Sequence, residues 1–78
     1  MDKVIKIKDL EDSNYDMYFL VSEKDFERAI NMVELAYEIV DREEGNISMY
    51  EEITGLWSCE NVKYIELNLE KPDYEIVC

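Results

Sequence analysis

Apolar and polar residues alternate at both ends of the chain and recur at helical spacing in its middle. In residues 4–8 Ile5 and Ile7 fall on one face with Lys6 and Lys8 on the other, which predicts a short strand with the lysines suiting an edge. Residues 9–14 are polar and turn-like, and residues 15–21 place Met17, Phe19 and Val21 in phase. Two strands joined this closely predict an antiparallel hairpin.

Ser22-Glu23-Lys24-Asp25 has the composition of a helix start, with the serine oxygen positioned to cap and the acids favourable at the positive end of the dipole. The helix that follows is expected to end near Gly45, a run of about 22 residues and about 33 Å. Phe26, Ala29, Ile30, Val33, Ala36, Tyr37 and Val40 make one continuous apolar face, suited to covering the sheet. Met32, Leu35 and Ile39 widen the arc, so that flank needs a second cover, either the next segment or another chain.

Ser48 and Glu51 have capping-box spacing, predicting a short second helix to about Gly55. Residues 62–69 alternate again, with Ile65, Leu67 and Leu69 on one face and Tyr64, Glu66 and Asn68 on the other. Lys71-Pro72-Asp73 reads as a turn, and residues 74–78 as a last strand. The expectation is one α+β domain over residues 1–78, in the order β-β-α-α-β-β. A mostly antiparallel sheet carries one long and one short helix on one face.

Charge changes the picture more than length does. Eight Lys+Arg stand against 20 Asp+Glu, a net charge of −12. Residues 1–8 carry three lysines against Asp2, so the acidity belongs to the body of the chain. Such a protein repels bare nucleic acid and anionic membranes. Cys59 and Cys78 are too few for a disulfide framework and read as free thiols, and neither a signal sequence nor a membrane-spanning run is evident, so a cytoplasmic location is expected.

The absence of histidine excludes Ser/His/Asp and Cys/His nucleophiles and histidine metal sites. The only glycines, Gly45 and Gly55, suit helix ends and do not form a phosphate-binding loop. Residues 41–51 resemble the calcium loop of an EF-hand, with Glu51 as the twelfth ligand and Gly45 and Ile47 in their places. That alignment puts Val40 and Arg42 at the first and third ligand positions, and neither can ligate calcium. No metal, cofactor or enzymatic activity is therefore expected.

Two surfaces are candidates for binding a partner. On the long helix Glu27, Glu34, Glu38 and Asp41 fall in one narrow stripe, a row of anions that a basic nucleic-acid channel can accept. On the sheet face turned from the helices, Tyr18, Leu20 and Tyr64 are expected to lie exposed beside Lys6 and Lys8, and tyrosine suits interfaces. Trp57 and Cys59 read as packing residues.

Few Gly, Ala, Pro and Arg beside abundant Ile, Lys, Asn, Tyr, Asp and Glu fit an AT-rich coding sequence. With the small size, the acidity and the long capped helix, the chain resembles the acidic accessory proteins of phages and mobile elements, including anti-CRISPR and anti-restriction DNA mimics. The resemblance implies a non-enzymatic inhibitor or regulator of a basic nucleic-acid-binding protein. The alternative is a structural or assembly protein acting as a homodimer, its acidity serving solubility.

Overall fold

The computed structural model describes residues 1–8, 16–43 and 48–77. The expected turn at 9–14, Gly45 and Ile47 of the EF-hand-like loop and Cys78 lie outside the described residues. Among the described residues four strands and two helices form an α+β fold: β1 (Lys3–Lys8), β2 (Asp16–Val21), a 3-10 turn (Glu23–Asp25), α1 (Phe26–Arg42), α2 (Met49–Cys59), β3 (Tyr64–Leu67) and β4 (Tyr74–Val77).

β1 and β2 follow the alternation of their sequences. Ile5, Ile7, Met17, Phe19 and Val21 all enter the core, and the antiparallel register pairs Ile5 with Phe19 and Ile7 with Met17. The strands lie side by side as β3-β2-β1-β4. β3 is antiparallel to β2, but β4 runs parallel to β1, so two of the three pairings are antiparallel, as expected, and the parallel β4 makes the sheet mixed.

This topology has a consequence for the open face. β3 and β4 run in the same direction at opposite edges, and Leu67 lies level with Tyr18 and Lys6, whereas Asp73 meets Val4. The connection at 68–73 must cover three strand spacings, about 14 Å, without room to loop around an end of the sheet. Helices occupy one face, so the crossing passes over the other. Tyr18 points to that other face and is nonetheless only 6 % exposed. Asp73 anchors the end of the crossing twice: its amide donates to the Val4 carbonyl and its carboxylate accepts from the Val4 amide, both at 2.9 Å.

The start of α1 differs from the expected serine cap. The Ser22 hydroxyl donates to the Asp25 carboxylate at 3.3 Å while the Ser22 carbonyl accepts from the Asp25 amide, which closes a 3-10 turn before α1 begins at Phe26. Ala29, Val33 and Ala36 form the buried seam of α1, flanked by the partly buried Phe26, Ile30, Met32 and Val40. Tyr37, placed by periodicity on the core face, is instead 44 % exposed, and Leu35 on the opposite flank is 45 % exposed.

α2 is the second cover that the wide apolar arc requires. Met49, Ile53 and Trp57, one helical turn apart, are its buried face, and the Trp57 indole donates to the Ala29 carbonyl of α1. The Ser48 hydroxyl accepts from the Glu51 amide at 3.1 Å, as the capping-box spacing predicts. The helix does not stop at Gly55 but runs to Cys59. Asn61 is the stop, with φ +58° in the left-handed region. Its amide donates to Ser58 and that of Val62 to Trp57, the paired bonds of a Schellman motif, with Val62 and Trp57 both buried.

Phe19 organises the core under α2. The Trp57 ring meets it edge-on at 5.0 Å, Tyr64 edge-on at 5.6 Å, and Tyr50 stacks at 6.1 Å. Tyr64 therefore faces the helices, not the open face. The register explains why: Tyr64 pairs with Val21 and Glu66 with Phe19, and cross-strand partners share a face. Ile65, expected in the core, pairs with Leu20 on the far side and is 59 % exposed.

Candidate functional site: the outer face of α1

Residues 27, 34, 38 and 41 advance around a helix by steps that return close to the same angle, so their side chains share a stripe about 60° wide. α1 contains all four, and Glu27, Glu34, Glu38 and Asp41 are all exposed. None forms an ion pair among the described residues. Asn31 continues the same line between Glu27 and Glu34. The buried seam of Ala29, Val33 and Ala36 turns the row directly to solvent.

Spacing decides how closely this row can imitate a polynucleotide. Glu27 to Asp41 spans about 21 Å at the helical rise, a mean spacing of about 7 Å between the four carboxylates. Duplex DNA carries one charge per about 1.7 Å of axis, or about 3.4 Å per strand. The row thus comes nearer to one strand than to a duplex. Its densest part is Glu34, Glu38 and Asp41.

Leu35 and Tyr37 flank the row on either side. Their sequence signal was already present, since Leu35 belongs to the flank too far round for one flat contact. Periodicity places Tyr37 between Phe26 and Ile30 on the apolar face, and it is nonetheless exposed.

The second candidate surface does not form as expected. Tyr18 is buried, with the Lys6 ammonium 5.8 Å from its ring centre. Leu20 is half-buried, and Tyr64 packs on the other side of the sheet. Lys6 also pairs with Asp16 at 3.8 Å, while Lys8 stays half-buried at the end of β1. Trp57 is fully buried and Cys59 exposed. Glu66 is engaged by the Tyr50 hydroxyl at 2.8 Å.

Sequence reading missed one grouping. Lys24, Arg28 and Lys63 line a single cleft with Ser22, Asp25 and Asn61. Lys24 and Arg28 are four apart and adjacent in sequence terms, but Lys63 joins them only because β3 pairs with β2, bringing Lys63 opposite Ser22. Among the described residues no three His, Cys, Asp or Glu side chains gather as a metal site, and no helix is long and apolar enough to cross a membrane.

No protein-family model matches the chain, and no curated protein or solved structure is significantly similar to it.

Proposed function

We propose that this protein is a non-enzymatic acidic binding protein that docks the outer face of α1 on a basic nucleic-acid-binding protein and competes there with nucleic acid. The observation that supports it is the straight row of Glu27, Glu34, Glu38 and Asp41, solvent-facing and without ion-pair partners among the described residues. A row left unpaired keeps its charge available to a partner. Leu35 and Tyr37 beside it add apolar contact, which charge alone lacks. The net charge of −12 accelerates association with a basic surface and disfavours anionic competitors. An inhibitor of the anti-CRISPR or anti-restriction kind fits this chemistry.

A competition measurement tests the reading. The protein is used to recover basic nucleic-acid-binding proteins from a bacterial lysate, and each captured protein is then titrated with labelled DNA in its presence. Displacement of DNA that weakens steeply between about 0.05 and 0.2 M salt is the expected result. Simultaneous binding of DNA and this protein would overturn it.

The alternative, a self-associating structural protein, draws on the exposed Leu35, Tyr37, Ile65 and Val77. Sedimentation equilibrium distinguishes the two, since an apolar self-interface persists at high salt whereas a charge-steered complex does not.

A further inference from the structure

Three of the eight basic residues of this strongly acidic chain meet at one cleft. It has a volume of about 690 Å³ and is lined by Ser22, Lys24, Asp25, Arg28, Asn61 and Lys63. A second cleft of about 530 Å³ adjoins it, sharing Ser22 and Lys63, and its other walls include Leu20, Val62, Tyr64 and Ile65. From these two clefts the geometry points to a binding site for a small aliphatic oxyanion, a carboxylate or phosphate carrying a short hydrocarbon tail. The head group lies among Lys24, Arg28 and Lys63, and the tail runs along Leu20 and Ile65.

The cationic cleft is organised for an anion. Asp25 is its one carboxylate, and both of its oxygens are engaged, Oδ1 by the Arg28 guanidinium at 2.9 Å and Oδ2 by the Ser22 hydroxyl at 3.3 Å. Asp25 therefore orients Arg28 and leaves most of the guanidinium donors unused. Lys24 and Lys63 form no ion pair among the described residues. Among the described residues that line the cleft, one carboxylate stands against three cations.

Glu23, Glu27 and Glu60 neighbour Lys24, Arg28 and Asn61 in the chain and lie within the screening length of about 10 Å at about 0.1 M salt. The pull on an anion therefore comes from direct contact with the three lining cations and not from the potential of the region. Asp2 lines the apolar cleft and is the carboxylate among its described walls.

The apolar side is equally specific to this fold. Val21 pairs with Tyr64 and Leu20 with Ile65, so the end of the β2–β3 ladder presents Leu20 and Ile65 together on the open face, immediately beyond Lys63. Ile65 is 59 % exposed, an isoleucine that the domain itself does not cover. A bare inorganic anion uses only the first cleft; an alkyl oxyanion uses both. This site does not involve the acidic row on α1 and stands or falls apart from it.

The test titrates the full chain with inorganic phosphate, acetate, octyl phosphate and octanoate below their aggregation concentrations, following backbone amide shifts by NMR. At least one octyl compound is expected to bind saturably, with shifts centred on Ser22, Lys63 and Ile65, roughly tenfold or more tighter than its short counterpart. The tighter of the two identifies the head group. Lys63→Gln, which removes a side chain that makes no internal ion pair among the described residues, should weaken binding roughly fivefold to tenfold. Ile65→Ser should remove the advantage of the octyl chain while leaving phosphate or acetate unchanged. Absence of saturable binding, or octyl binding unaltered in both variants, would overturn the site.

Discussion

The Trp57 indole nitrogen donates to the main-chain carbonyl of Ala29 at 3.2 Å, a buried bond that ties α2 to the middle of α1. Trp57 also packs on Phe19 and Tyr64, so one side chain joins both helices to the sheet. Trp57→Phe removes the donor and leaves a void where the larger ring system was. A destabilisation of about 2–3 kcal/mol is expected from the lost bond and the imperfect filling together, measured by urea unfolding followed by circular dichroism. In the parent protein this sole tryptophan, fully buried, should resist quenching by iodide until the chain unfolds.

Neighbouring positions on β3 provide a sharper contrast. Tyr64→Ser takes a ring out of the cluster with Phe19 and Trp57 and should cost about 2–4 kcal/mol, whereas Ile65→Ser should change stability by about 0.5 kcal/mol or less. Thermal melts of the two variants check this. The reverse order would place β3 in the opposite phase.

That reversal is the one the sequence invites, because aliphatic Ile65, Leu67 and Leu69 look more like core than Tyr64, Glu66 and Asn68. In β1 and β2 the same rule works, since Ile5, Ile7, Met17, Phe19 and Val21 outweigh Val4, Tyr18 and Leu20, the apolar residues on the other face of their own strands. In β3 the choice is made by pairing with Val21 and Phe19, a tertiary fact with no local signal. The parallel placement of β4 is equally silent in sequence, and with it the crossing over the open face. The acidic row was legible because it depends only on helical periodicity. Its partner surface on the sheet was not, because it depended on strand phase.

Gly55 gives a third test, and it also follows from a misread stop signal. The residue lies inside α2, exposed, with open space where a Cβ would project. The helix stops at Asn61, so Gly55 serves no capping purpose and only adds freedom to the unfolded chain. Gly55→Ala should stabilise the protein by about 0.5–1 kcal/mol in urea unfolding. Loss of stability there would mean that α2 does not continue past Gly55.

The last prediction separates the two readings of the row on α1. Replacing Glu34 and Glu38 together by glutamine preserves size and helix propensity while removing two like charges about 6 Å apart. Both side chains are exposed and without ion-pair partners among the described residues, so folding loses no contact. Stability should hold or rise by about 0.3–0.5 kcal/mol, seen as an unchanged or higher melting temperature. If the row stands in for phosphates, binding to the basic partner should instead weaken by about 1–3 kcal/mol at low salt, mainly through slower association. Raising the salt should shrink the difference, since screening removes the steering that the two charges provide. Measured at two salt concentrations, stability and binding then move in opposite directions, which a merely solvated helix face cannot produce. Binding unchanged at low salt would remove Glu34 and Glu38 from the interface and leave self-association through Leu35 and Tyr37 as the reading to pursue.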